Sequence, residues 1–132
     1  EMAARYGLDG VVIPGIFKRE DPRVSLGIGA TSGRVTFARN LSTVRDVVDA
    51  ARGRIAVKSN GGVFSGADAF QVLAAGAVAV DILTAIVYRG WAAASRINRE
   101  LLAEMDRNCV DSVASLRPAS TVRARRTSSI DA

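Results

Sequence analysis

Three short apolar segments that alternate with helical patterns constrain this fold most strongly. They are residues 8–13 (LDGVVI), 55–58 (IAVK) and 78–82 (VAVDI), and each has the length of a buried strand. Helical patterns precede, separate and follow them, over residues 1–6, 43–51, 67–75 and 91–106. Such alternation predicts parallel strands joined by crossover helices. We therefore predict an α/β fold with about three parallel strands and flanking helices.

Local signals give the boundaries of these elements. Ser42 is a candidate N-cap for the second helix, and Gly53 is a candidate stop. Residues 16–38 contain four glycine or proline residues and no clear periodicity, which predicts a long irregular loop. The final helix has apolar residues at helical spacing, namely Trp91, Ala94, Ile97, Leu101 and Leu102.

Three strands are too few to close a barrel. They could form a small open sheet, or the last part of an eight-stranded (β/α) barrel, which is a TIM barrel. In the second arrangement two strand edges stay unpaired, and these edges could drive self-association. The opening residues 1–4 (EMAA) read as the middle of a helix, so we expect the chain to be a fragment.

Composition excludes several kinds of site. The chain has no histidine, which excludes Ser-His-Asp triads and imidazole metal ligands within it. The single cysteine, Cys109, could be a reactive thiol, but no activating partner is visible in the sequence. We predict no metal site.

The net charge is +5, and its one concentrated source is the end of the chain. We divide the chain into a folded part, 1–116, and a basic tail, 117–132, that we predict to be disordered. The tail carries Arg123, Arg125 and Arg126 without aromatic residues between them. A solvated tail is favoured over a contact with anionic lipid or nucleic acid, so we expect no nucleic-acid partner.

The candidate site lies at the carboxyl ends of the three strands, where barrel enzymes place their chemistry. Gly61-Gly62 allows close backbone approach to a phosphate oxygen, and residues 65–68 (SGAD) then begin a helix whose dipole favours an anion. The alternative is that Gly61-Gly62 is only a strand-to-helix turn. Thr84 adds a hydroxyl after the next strand. Asp81, within an apolar strand, either has a structural role or faces a charge in the barrel wall.

At this point a family resemblance emerges. Residues 58–90 (KSNGGVFSGADAFQVLAAGAVAVDILTAIVYRG) resemble the flavin-binding segment of dihydroorotate dehydrogenases. Residues 95–101 (SRINREL) are similar to the final helix of the membrane-associated, quinone-dependent class. Upstream, residues 6–13 (YGLDGVVI) and 32–34 (SGR) match two further motifs. The resemblance extends over about residues 5–116.

The resemblance implies the C-terminal portion of an FMN-dependent (β/α)8 TIM barrel that oxidises dihydroorotate to orotate in pyrimidine biosynthesis. It places Gly33, Gly61, Gly62, Leu83 and Thr84 at contacts with FMN. It implies quinone as a further partner, if the barrel is completed. It also implies a peripheral location on the cytoplasmic side of the inner membrane, or in the cytoplasm for a free fragment.

Two departures from the family's pattern limit what the resemblance implies. Gly15 and Ile16 stand where the family has an Asn-Thr pair that binds orotate, so we assign no substrate-binding residue. The family's serine base and flavin-side lysine lie on earlier strands that have no counterpart here. We therefore assign no catalytic residue and expect this chain alone to be inactive. The alternatives are a non-catalytic phosphate-binding module, a self-associating half-barrel remnant, or a basic interaction protein that acts through its tail.

Overall fold

The structure is a computed structural model, and it describes residues 2–118. Two sets of elements share the chain: a parallel α/β unit and a separate antiparallel hairpin. In chain order the elements are α1 (Met2–Arg5), β1 (Gly10–Ile13), β2 (Phe17–Glu20), β3 (Ile28–Thr31), a 3-10 turn (Arg34–Thr36), α2 (Phe37–Ala51), β4 (Ala56–Asn60), α3 (Gly66–Ala74), β5 (Ala79–Asp81), α4 (Thr84–Arg89), α5 (Ala93–Arg107) and α6 (Val113–Leu116).

The three predicted strands form one parallel sheet in the order β1-β4-β5. Val11 pairs with Val57 across the first ladder, and Ser59 pairs with Val80 across the second. The prediction of parallel α/β topology is confirmed, with strand ends that lie within two residues of the predicted ones. Because β4 lies between the other two strands, β1 and β5 are the edges of this sheet.

The core lies between the sheet and its covering helices. Val44 on α2, Val57 on β4 and Val72 on α3 are fully buried, and Val63 after β4 is almost so. Burying a valine side chain contributes roughly 1.5–3 kcal/mol, so this small layer is the main source of stability. The opposite face of the sheet carries exposed residues such as Val12, which is 54% exposed.

Helix α2 begins six residues earlier than its sequence signals predict. The predicted cap, Ser42, is exposed inside the helix, so that prediction is wrong. The helix instead follows directly from the 3-10 turn, and buried Leu41 extends the apolar stripe of Val44 and Val48 toward the N-terminus. Buried Asn40 joins this stripe because its Oδ1 accepts a 2.5 Å hydrogen bond from Ser59 Oγ on β4. Tertiary contacts therefore fix the start of this helix.

Helix α3 provides the matched comparison for a capping test. Ser65 is a true N-cap whose hydroxyl accepts from the N–H of Asp68 at 3.2 Å. We expect Ser65→Ala to lower the free energy of unfolding by about 1 kcal/mol, and Ser42→Ala to change it by less than about 0.5 kcal/mol. Urea unfolding of the two variants measures this difference. Equal losses would contradict the assigned helix starts.

The loop predicted over residues 16–38 is wrong over residues 17–31, where β2 and β3 form an antiparallel hairpin. The connection is closed by a 3.0 Å hydrogen bond from Asp21 N–H to the Gly27 carbonyl. Arg23 donates from Nε and Nη2 to the Asp21 carboxylate and reinforces the turn. Most residues of the two strands are exposed, and β2 carries three charged residues in a row, Lys18, Arg19 and Glu20, so the sequence shows no hydrophobic alternation there.

Residues 84–89 form a separate helix, α4, and the last predicted helix begins at Ala93 and not at Trp91. Of its apolar residues at helical spacing, Ile97 is buried, whereas Trp91, Ala94 and Leu102 are exposed. Residues 119–132, which hold most of the predicted tail, lie outside the described part of the chain. No helix among residues 2–118 has the length and apolar character needed to cross a membrane.

Candidate functional site

One cleft at the carboxyl end of the sheet brings together every residue predicted to contact a cofactor. Its lining includes Gly33, Gly61, Gly62, Leu83 and Thr84, and we call it the glycine cleft. Three separate chain segments supply these residues: the turn after β3, the turn after β4 and the start of α4. Residues more than fifty positions apart therefore meet in one place. Their role toward a cofactor stays a prediction.

Gly62 has no room for a side chain. Its φ is +75°, and a Cβ there would lie 2.5 Å from Phe37 Cα and 2.6 Å from Phe37 N. These are backbone atoms at the start of α2, which cannot yield as a flexible side chain could. The glycine is thus required by the approach of two backbone segments, so the turn interpretation of Gly61-Gly62 accounts for the residue type without any ligand.

The backbone N–H groups around the glycine cleft also support the interpretation of this site as a phosphate-binding site. No backbone carbonyl among residues 2–118 accepts a hydrogen bond from the N–H of Gly33, Gly62 or Thr84. The Thr84 and Ser32 hydroxyl oxygens lie 3.5 Å apart, and a Cβ on Gly33 would come within 3.1 Å of Thr84 Cγ2. About 50 Å³ of open space remains in the cleft, several times what one water needs. Unused N–H groups around such a space suit a small anion.

The N-terminus of α3 is not part of this donor set, which corrects the expectation that its dipole favours a ligand. Asp68 Oδ2 accepts from the N–H groups of Phe64 and Ser65, each at 2.9 Å. Glu100 Oε2, from α5, accepts from the Gly66 N–H at 2.8 Å. Two carboxylates of the protein itself therefore occupy the position that an anionic ligand would take. Residues 65–68 therefore stabilise the loop beside the cleft, and contacts with a ligand are expected from the glycine turns.

Arg34 and Asp68 connect two sides of the glycine cleft. The Arg34 guanidinium, one residue after Gly33, forms an ion pair with the almost fully buried Asp68 carboxylate. The same carboxylate holds the chain just after Gly62 through its bonds to Phe64 and Ser65. Sequence reasoning missed this pair, although the spacing Ser65-x-x-Asp68 is a recognisable capping-box signal.

A second ion pair holds the loop from the other side. Arg89 at the end of α4 donates to the Phe64 carbonyl and, at 2.7 Å, to Glu100 Oε1. The Arg89 guanidinium and then the Gly66 N–H lower the pKa of Glu100 below its ordinary value of 4.5. The hydrogen bond that Arg89 donates to the Glu100 carboxylate in turn raises the pKa of Arg89. No local pattern could have revealed a contact between these two helices.

The depressed pKa of Glu100 has a consequence for stability. Since the folded state favours the ionised carboxylate, its contribution is complete above about pH 4.5 and is lost as pH falls through the lower folded pKa. We expect Glu100→Gln to destabilise the chain at pH 7, and the difference from the unaltered chain to shrink toward pH 3. Urea unfolding at the two pH values measures it. A difference that is the same at both would contradict this assignment.

The two residues at the position of the family's Asn-Thr pair also line the glycine cleft. A Cβ on Gly15 would stand 2.1 Å from the Asn60 carbonyl oxygen and 2.2 Å from Gly61 Cα, so only glycine fits there. Ile16 is 56% exposed and offers no polar group.

Asp81 faces a charge, as one of our two alternatives had it, because its Oδ2 lies 3.0 Å from Lys58 Nζ. Cys109 is exposed and outside the cleft lining.

Comparisons with known proteins give a consistent result. A family model described as dihydroorotate dehydrogenase matches residues 4–105. The chain is similar to the dihydroorotate dehydrogenase (quinone) of Methylococcus capsulatus, with 36% identity over 75% of this chain and 30% of that protein. It is similar to the mitochondrial quinone enzyme of Arabidopsis thaliana, with 32% identity over 85% of this chain and 25% of that protein.

Solved structures agree with the sequence relatives. The fold is similar to that of ligand-free DHODH from Eimeria tenella, with a TM-score of 0.76 and 29% identity over 87% of this chain and 33% of that one. The complex of that enzyme with ferulenol gives a TM-score of 0.77. The chain thus spans about a quarter to a third of the length of these proteins. Its small parallel sheet corresponds to part of a TIM barrel.

Proposed function

The chain belongs to the dihydroorotate dehydrogenase family, and from this premise we propose that it forms the FMN-phosphate-binding part of a flavin-dependent oxidoreductase. The convergence of Gly33, Gly62 and Thr84 on one cleft, with backbone N–H groups that no carbonyl of residues 2–118 accepts from, carries this proposal. In the whole enzyme the reaction is the oxidation of dihydroorotate to orotate in pyrimidine biosynthesis, with quinone as electron acceptor. The membrane that holds the quinone is the proposed location.

The residues of the cleft have distinct proposed roles. The N–H groups of Gly33 and Gly62 donate to phosphate oxygens, and the Thr84 hydroxyl and N–H add donors from the next strand. Leu83 and Gly61 contribute backbone close to the ligand. FMN supplies the hydride chemistry when bound, and the protein binds and orients it. We assign no base or catalytic residue to this chain.

A titration with FMN tests the proposal at one group of the cleft, the Thr84 hydroxyl. We expect Thr84→Val, which keeps the side-chain shape and removes the hydroxyl, to weaken FMN binding by about tenfold. Thr43→Val is the matched control, because the Thr43 hydroxyl donates only to the Arg39 carbonyl within α2. Quenching of flavin fluorescence measures both affinities. Equal affinities for the two variants would argue against a phosphate at Thr84.

A second candidate function rests on the open edges of the sheet. Strands β1 and β5 each have one unpaired edge among the described residues. Beside β5 lies an apolar groove with about 320 Å³ of open space, lined by residues that include Leu73, Val80, Ile82, Ile97 and Leu101. Such surfaces support self-association of a half barrel. Sedimentation velocity over a range of concentrations tests it, since a monomer at every concentration contradicts self-association.

A further inference from the structure

The sheet has a polar group on the face that the helices do not cover. Val57 and Ser59 on β4 point to the helices and are fully buried. By alternation, Lys58 and Asn60 project from the opposite face. On that face Lys58 Nζ lies 3.0 Å from Asp81 Oδ2 on β5, and both side chains are 41% exposed. An ion pair therefore lies on the side of the sheet that faces inward in a barrel.

The direction of this ion pair brings it to the glycine cleft. In the strand register Lys58 is opposite Ala79, whereas Asn60 is opposite Asp81. The Lys58 ammonium therefore reaches two residues along the sheet, toward the carboxyl ends of the strands. Both Asn60 and Asp81 line the glycine cleft. The three polar side chains lie together on the barrel-facing side of the cleft.

The ion pair between Lys58 and Asp81 contributes little as a purely structural device. Within residues 2–118, neither Lys58 nor Asp81 has a second charged partner. Both side chains are 41% exposed, and an ion pair that is this open to solvent contributes little to stability. The ammonium has three donors and the carboxylate several acceptor sites, of which their mutual contact uses one each. The remaining donors and acceptors are available to a ligand.

We propose that Lys58, Asp81 and Asn60 form a second ligand subsite, for the edge of a cyclic imide or ureide that presents C=O beside N–H. The Lys58 ammonium donates to the ligand carbonyl oxygen, and the Asp81 carboxylate accepts from the neighbouring N–H. The Asn60 amide can do either. This edge occurs in the flavin ring and in pyrimidine-type substrates. The inference rests on the proposed function of the glycine cleft, and it adds the side chains that select the ring of the ligand.

Calorimetric titration of the full chain with three probes separates this subsite from the phosphate site. The probes are inorganic phosphate, riboflavin, which has the ring without phosphate, and uracil. We expect Lys58→Met to weaken riboflavin or uracil binding by about tenfold and to leave phosphate binding within about twofold. The probe that responds identifies the source of the edge, flavin or substrate.

A reversed pair, Lys58→Asp with Asp81→Lys, controls for a structural role. It keeps an ion pair across the strands but exchanges donor and acceptor, so we expect it to fold and still to bind riboflavin or uracil poorly. Restored binding in the reversed pair overturns the inference, as does a chain that binds phosphate but neither ring probe. If the unaltered chain does not bind inorganic phosphate, that result instead contradicts the proposed function.

Discussion

Replacing Gly62 by alanine is expected to destabilise the chain by about 3 kcal/mol or more and to abolish FMN binding. The residue has a φ of +75°, and the new Cβ would lie 2.5 Å from Phe37 Cα. A left-handed backbone costs roughly 1–2 kcal/mol for a residue with a side chain, and the backbone overlap adds to this. Urea unfolding measures the stability, and flavin fluorescence measures the binding.

Gly27→Ala is the matched control for this result. Gly27 has a φ of +66°, close to that of Gly62, but a Cβ there would meet nothing within 4 Å. We expect it to cost only the conformational part, about 1–2 kcal/mol, and to leave FMN binding unchanged. If the two variants lose the same stability, the close approach of the Gly62 turn to α2 is not as described.

The second large effect is expected at Asp68. Its carboxylate is almost fully buried, accepts from the N–H groups of Phe64 and Ser65, and pairs with Arg34. Asp68→Ala removes all three contacts, and we expect a loss of roughly 3 kcal/mol in the free energy of unfolding. Because this carboxylate joins two sides of the glycine cleft, FMN affinity is expected to fall with it.

Asp68→Asn separates the hydrogen bonds from the charge. The amide oxygen can still accept from Phe64 and Ser65, and only the ion pair with the Arg34 side chain, which is 60% exposed, is weakened. We expect a loss of about 1 kcal/mol, since a partly exposed ion pair contributes little. An Asn variant as unstable as the Ala variant would mean that charge, and not backbone capping, is the function of Asp68.

The sequence predicted those parts of the fold that depend on local pattern. The three parallel strands and α3 followed from short apolar runs and from glycine and serine at their ends. The hairpin β2–β3 was missed because its strands are mostly exposed and β2 is charged, so its signal lies in backbone pairing and in the Asp21–Gly27 turn. The early start of α2 was missed because buried Asn40 is fixed by Ser59, nineteen residues away in the chain.

The same distinction between local pattern and long-range contacts applies to the candidate site. Gly62 and Thr84 could be predicted to meet because the carboxyl ends of parallel strands share one edge of a sheet, whereas Gly33 follows a hairpin strand and was placed there only by the family resemblance. The pairs Arg34–Asp68 and Arg89–Glu100 could not, because each joins side chains from different elements. These long-range pairs also correct the expected role of the α3 N-terminus, which the protein's own carboxylates occupy.

The proposed phosphate-binding site for a flavin is tested by the affinities of FMN and riboflavin for the unaltered chain. The two ligands share the ring and the ribityl chain and differ in the phosphate alone. Several charge-assisted hydrogen bonds to phosphate predict that FMN binds at least about a hundredfold more tightly, with inorganic phosphate as a competitor. Equal affinities, or FMN binding that phosphate does not displace, would contradict the account.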